Sequence, residues 1–206
     1  MSPVPATQRE RLRDLLVQHP IARAQELRDA GVAPATIARA VKDGEIERIG
    51  RGLYQQPEAP IDVAHALAET AKRIPKGVIA MVSALAFHGL TDQMPRKIWV
   101  AIGPGDWSPV PSYPPTRIVR FSEKYLHQGI EHHMISGISV PIYSVPKTLA
   151  DLFRNSKLVD RAVAVEGLRA TLDQRKAKPG AIAEAAVAGG AWRIMRPYLE
   201  ALTFNG

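Results

Sequence analysis

A few fragments of the sequence carry residue types at spacings that chemistry could use. Ser144-Val145-Pro146-Lys147 has the S-x-x-K spacing, in which a lysine on the same helical face activates a serine hydroxyl. The S-D-N and K-T-G elements that complete such a site are absent, and Ser144 ahead of Val145-Pro146 is better placed as a helix cap. His132 and His133 are adjacent, so on a strand they point to opposite faces and cannot share one metal ion. No H-E-x-x-H spacing accompanies them. Gly103-Pro104-Gly105 lacks the remaining glycine and the following helix of a dinucleotide loop, and reads as a turn. His65 and His88 stand alone, as helix or interface residues rather than bases. No catalytic residue, metal site or cofactor is expected, and the chain reads as a non-enzyme.

Composition narrows the field further. The 206 residues are 46% hydrophobic and 23% charged, enough to bury one large core or two small ones, and contain no cysteine. That excludes a disulfide scaffold, thiolate zinc sites and cysteine nucleophiles. No run approaches the ~18 apolar residues of a transmembrane helix, and Met1-Ser2-Pro3-Val4-Pro5 lacks the pattern of a signal peptide. A soluble cytoplasmic protein with no membrane partner is expected. Lys and Arg outnumber Asp and Glu by 27 to 20, a formal charge of +7, which suits nucleic acid or simply a solvated basic surface. The surplus is uneven. Residues 1–58 hold nine basic and eight acidic side chains, whereas residues 59–206 hold 18 and 12.

The elements that would position a site are clearest at the start of the chain. Thr7-Gln8-Arg9-Glu10 is a capping box, and Leu12, Leu15, Leu16 and His19 follow along one helical face until Pro20 closes it. A second helix is predicted over 22–30, with Ala24 and Leu27 inward and Gly31 as its stop. Pro34 suits the first turn of a third helix running to Gly44, with Ile37 and Val41 on its buried side. At about 100° per residue, Arg39 lies nearly opposite them, flanked by Ala35, Thr36, Lys42 and Asp43. Two β-prone runs, 45–49 and 53–55, enclose Gly50-Arg51-Gly52 as a hairpin. Three helices and a hairpin predict a winged helix-turn-helix over 1–57, its third helix in the major groove and the hairpin as its wing. The DNA-binding candidates are Ala35, Thr36, Arg39 and Lys42 on the helix, with Arg48 and Arg51 on the wing. Small Ala35 and Thr36 would let the backbone approach base edges.

Proline-rich residues 56–60 read as a linker to a second domain over 61–206. Asp62 is expected to cap a helix carrying Val63, Ala66, Leu67 and Ile74. A buried strand over 78–82 follows, then a helix over 84–88 capped by Ser83. Strands are predicted over 98–102, 117–121, 130–135 and 138–143, with a proline-rich loop over 108–115. After Pro146 the pattern is helical, with Leu158, Ala162, Val165, Leu168 and Leu172 forming one stripe and the last helix bent or restarted at Pro197. The fold class is therefore α+β: the winged helix, then a larger α+β domain with a small sheet and a helical C-terminal half. Within it, Lys147 and Asp151 at i, i+4 predict a modest ion pair of about 0.3 kcal/mol. Their helix is expected to pack on the core, the alternative being that its polar side joins an interaction surface.

The order of these motifs resembles the AbiE-type abortive-infection antitoxins, the antitoxin partners of type IV toxin–antitoxin systems. In the N-terminal part the resemblance rests on Ala24-Gln25-Glu26-Leu27, Thr36-Ile37, 41–46 (Val-Lys-Asp-Gly-Glu-Ile) and Arg51-Gly52-Leu53-Tyr54. In the C-terminal part it rests on 83–93 with Pro95, and on 145–153 (Val-Pro-Lys-Thr-Leu-Ala-Asp-Leu-Phe), so that it spans about residues 7–200. The resemblance implies a repressor that binds operator DNA, in inverted repeats, through its N-terminal domain. It implies a C-terminal domain that counteracts a nucleotidyltransferase-like toxin without having to form a stable complex with it. Arg39, Arg48 and Arg51 carry over to DNA contact, and Ser83, His88, Asp92, Lys147, Thr148 and Asp151 are the motif residues of the antitoxin domain. Two other readings are a stand-alone regulator whose C-terminal domain senses a ligand or dimerises, and a nuclease or nucleotidyltransferase using a basic cleft.

Overall fold

The computed structural model describes residues 7–57, 63–107 and 114–204. The expected Asp62 cap and residues 108–113 of the proline-rich loop lie outside them. The chain is mixed α+β and packs as two compact units, residues 1–72 with 134–139, and residues 73–133 with 140–206.

The first unit begins α1 (Gln8–Gln18), β1 (Ile21–Arg23), α2 (Ala24–Asp29), α3 (Pro34–Lys42), β2 (Glu47–Gly50), β3 (Leu53–Gln55). The capping box forms as read: the Thr7 hydroxyl accepts from the Glu10 amide at 3.2 Å, and the Glu10 carboxylate accepts from the Thr7 amide at 2.6 Å. The three strands make an antiparallel sheet with β3 in the centre. Strand β1 departs from the expected helix over 22–30, which begins only at Ala24. Ile21, Ala22 and Arg23 pair instead with Gln55, Tyr54 and Leu53, partners some thirty residues away that leave no local signal. Leu12, Leu16, Ala22, Leu27, Val32, Ile37, Ala40 and Ile46 close the core. Each buried Leu, Ile or Val contributes about 1.5–3 kcal/mol.

Helix α4 (Val63–Arg73) belongs to this unit as far as Lys72, which moves the division of the chain past the expected boundary at 57–61. The cause is polar: buried His65 hydrogen-bonds Gln55 on β3 at 3.0 Å, and Lys72 pairs with Glu26 on α2.

The second unit holds β4 (Val78–Ile79), α5 (Met81–Phe87), β5 (Ile98–Ile102), β6 (Thr116–Arg120), α6 (Glu123–Leu126), β7 (Ile130–Ile135) and β8 (Ile138–Tyr143). Helices α7 (Val145–Arg154), α8 (Arg161–Asp173), α9 (Pro179–Ala188) and α10 (Trp192–Phe204) complete it. The five strands run in the order β6-β5-β4-β8-β7, with β4 parallel to β8 and antiparallel to β5. The tip of the β7–β8 hairpin, Met134–Ser139, clusters with the first unit. The strand expected over 78–82 stops at Ile79, because Met81 takes a left-handed conformation (φ 52°) and starts α5 two residues before the expected cap. Ser83 therefore lies inside the helix, and its hydroxyl accepts from the Trp99 amide at 3.0 Å. On α8 the buried side is Val163, Ala164, Gly167, Leu168 and Thr171, a face rotated from the predicted stripe, which leaves Leu158 exposed. Gly167 allows this: a Cβ there would stand 2.8 Å from Leu85 on α5. Pro197 sits within α10 without ending it. No helix among the described residues is long and apolar enough to cross a membrane.

Candidate nucleic-acid interface

Helix α3 is anchored by α1. Gln8 accepts both the Ala33 amide, at 3.0 Å, and the Thr36 hydroxyl, at 2.7 Å, so one side chain satisfies the start of α3 from outside. Thr36 is consequently buried, and its place among the DNA-facing candidates is corrected: the inward face is Thr36, Ile37 and Ala40. The outward face, beyond exposed Pro34 at the first position, is Ala35, Ala38, Arg39 and Lys42. Ala38 was missed by the sequence reading, although it lies three residues from Ala35 on the same side.

The charge of this face is set by pairing elsewhere. Counted over its whole sequence, the first unit has ten basic and ten acidic side chains, so it is formally neutral and the second unit carries the full +7. Asp43 and Glu45, just beyond α3, are held by Arg9 of α1 at 2.6 and 2.5 Å, with Arg13 a further 3.3 Å from Glu45. Glu26 is taken by Lys72 and by the Arg23 amide. Arg39 and Lys42 are left without an acidic partner among the described residues. The Arg39 Nε donates to the Ala35 carbonyl at 3.2 Å, which ties the side chain back to its own helix.

On the hairpin, Arg48 and Arg51 are exposed. Arg48 Nε donates to the Gly50 carbonyl at 3.1 Å across an irregularity between Arg48 and Gly50. Gly52 takes a left-handed conformation (φ 68°), and its carbonyl accepts from the Ala24 amide at 2.8 Å. The hairpin tip is thereby fastened to the start of α2.

The C-terminal motif residues fall elsewhere. Lys147, Thr148 and Asp151 are buried in α7. The Asp151 Oδ1 accepts from Lys147 at 2.7 Å and from Arg154 at 2.8 Å, while its Oδ2 has no hydrogen-bond partner among the described residues. The modest ion pair expected from the spacing is thus a core ion cluster. Burial pushes the Asp151 carboxyl up and the Lys147 ammonium down, each opposed by the other's charge. The Lys147 ammonium lies 4.9 Å from the ring of Tyr143, and Arg154 lies 4.0 Å from that of Tyr125. Ser144 occupies the cap position of α7 but makes no side-chain cap bond, and its S-x-x-K partner is held by Asp151. Asp92 alone of the six is exposed, in a cleft of about 350 Å³ with Thr91, Glu166 and Gln174.

His88 is half-buried beside Phe87 and His133, and its Nε2–H donates to the Tyr143 carbonyl at 2.8 Å. Burial holds its pKa below the ordinary 6.5, against the pull of that carbonyl. A histidine with a lowered folded pKa favours folding above its unfolded pKa, and that contribution is lost as pH falls from about 6.5 toward the folded value. We expect the His88 ring protons, followed by NMR, to titrate below 6.5; a midpoint at or above that value would contradict the buried placement.

Residues 10–57 match the model of one protein family. Its description is a transcriptional regulator, AbiEi antitoxin. The match covers α1 from Glu10, α2, α3 and both hairpin strands, and it bears out the resemblance over the segment that carries the exposed face of α3. No curated protein matches the chain. Among solved structures, the chain is similar to the crystal structure of the Rv2827c protein from Mycobacterium tuberculosis. The two share 14% identity with a TM-score of 0.57 over 97% of this chain and 83% of that one. At that identity the likeness is one of fold. The AbiEi description therefore bears on the first unit, and the fold likeness extends over both.

Proposed function

We propose that residues 1–57 form a winged helix-turn-helix with α3 as recognition helix and the β2–β3 hairpin as wing, and that the protein binds operator DNA and represses its own operon. The observation that carries this reading is the outward face of α3, where Arg39 and Lys42 have no acidic partner among the described residues of a formally neutral unit, within the segment matching the AbiEi regulators. Lys42, Arg48 and Arg51 hold the phosphate backbone, and two copies meet inverted half-sites. The C-terminal unit, which carries the basic surplus, counteracts a nucleotidyltransferase-like toxin without needing a stable complex. No chemical step is assigned to any residue, and the site of action is the cytoplasm.

The test uses the full chain and duplex DNA from upstream of its own gene. Replacing Arg48 and Arg51 together by alanine is expected to weaken binding and to lower the salt dependence by about one to two phosphate contacts. Unchanged affinity and slope rule out the wing assignment. For the toxin, co-expression of the full chain with a neighbouring nucleotidyltransferase-type gene is expected to restore growth. Absence of rescue removes the antitoxin role and leaves the repressor.

A further inference from the structure

Resting on that reading, we infer that α3 makes its base-specific hydrogen bonds through Arg39 alone, recognising one guanine, with thymine methyl groups seated against Ala35 and Ala38. Beyond the exposed Pro34 at its first position, four side chains face outward from α3: Ala35, Ala38, Arg39 and Lys42. Two of them can hydrogen-bond, and they stand at different places. Lys42 is the last residue of the helix, beside the clamped Asp43. Recognition helices place their N-terminal residues on base edges, so Lys42 falls to the flanking phosphates. Arg39 is mid-helix and exposed, and with its Nε on the Ala35 carbonyl its two terminal nitrogens have no hydrogen-bond partner among the described residues. That fork matches the O6 and N7 acceptors of guanine, which no other base pair offers together on one base.

The alanines supply the complementary half. A methyl side chain has no donor or acceptor, and the one apolar group on the floor of the major groove of unmodified DNA is the thymine C5-methyl. Ala35 and Ala38 lie at i−4 and i−1 from Arg39, within a single helical turn of about 5.4 Å. The three side chains therefore cover a patch of about two to three base pairs, a guanine beside one or two thymines. The burial of Thr36 against Gln8 sharpens this, because it removes the hydroxyl that would otherwise have read either base.

The experiment takes the full chain and the upstream duplex, with each base pair of the footprinted half-site exchanged in turn and affinity read by fluorescence anisotropy. The wild type is expected to lose about 10- to 100-fold at one G·C position. Arg39→Ala, an exposed change that leaves the core intact, should bind weakly and show no preference at that position while keeping the others. Deoxyuridine in place of thymidine removes only the methyl and should cost several-fold at one or two adjacent positions. If Arg39→Ala weakens all duplexes by one common factor and lowers the salt slope by about one, Arg39 is a phosphate contact. The inference then falls while DNA binding stands. If deoxyuridine has no effect at any position, the thymine contact is overturned. If the full chain binds no duplex at all, the inference falls together with the reading on which it rests.

Discussion

Asp151→Ala is expected to cost the C-terminal unit about 3–5 kcal/mol of folding stability, the range for removing one partner of a buried ion cluster. The carboxylate is fully buried, and its Oδ1 receives both Lys147 and Arg154. Without it, two cations face the rings of Phe121, Tyr125 and Tyr143 with no counter-charge, and the faces of aromatic rings offset only a small part of that loss. Urea unfolding followed by circular dichroism gives the comparison, fitted for two units rather than as one transition. The paired change Lys147→Met with Asp151→Leu removes both charges of the tighter couple and should recover much of the deficit, since well-packed apolar replacements are often neutral. A loss below about 1 kcal/mol in Asp151→Ala would show the cluster to be dispensable. The result also decides how inactive variants in residues 145–153 are to be understood: such a variant loses its function by losing its fold, since these side chains present nothing to a partner.

The second large effect concerns DNA. Under the proposed reading, Ala38→Glu puts a carboxylate at the centre of the outward face of α3, between Ala35 and Lys42. We expect at least about 100-fold weaker binding to the upstream duplex at moderate salt, from repulsion by phosphates and from a carboxylate facing the guanine and thymine acceptors of the groove floor. Glutamate is a good helix former and the site is exposed, so the unfolding midpoint should barely move. Anisotropy titration and thermal melting of the same preparation separate the two. Retained affinity with an unchanged melt would place the DNA on some other surface.

Much of the first unit was legible because its signals are local. The capping box, the leucines of α1 and the glycines of the hairpin each act within four residues, and each formed as read. The inward turn of Thr36 was not legible, since it depends on Gln8, and helical spacing alone put the centre of the apolar face nearer Val41. Strand β1 is fixed by Leu53–Gln55, and α4 by Gln55 and Glu26, all of them long-range partners. In the second unit the helix of residues 145–153 was recognised, but its environment was not. Amphipathic patterning assigns Lys147 and Asp151 to solvent, whereas α7 is packed by α5, α8, α9 and α10 and keeps its charges only because they cancel inside. The left-handed Met81 hid the start of α5, because no glycine announces that turn.

Beyond Pro34, the outward side of α3 is nearly bare: two methyl groups, one guanidinium and one ammonium, all of them exposed. Under the proposed reading, substitution at these four positions changes what is read without changing what is folded. Duplicated copies of such a gene can drift to new operators through intermediates that all remain intact proteins. Sister repressors in one genome would then become insulated from one another by a handful of surface replacements, while the Gln8 and Arg9 anchors beneath them stay fixed.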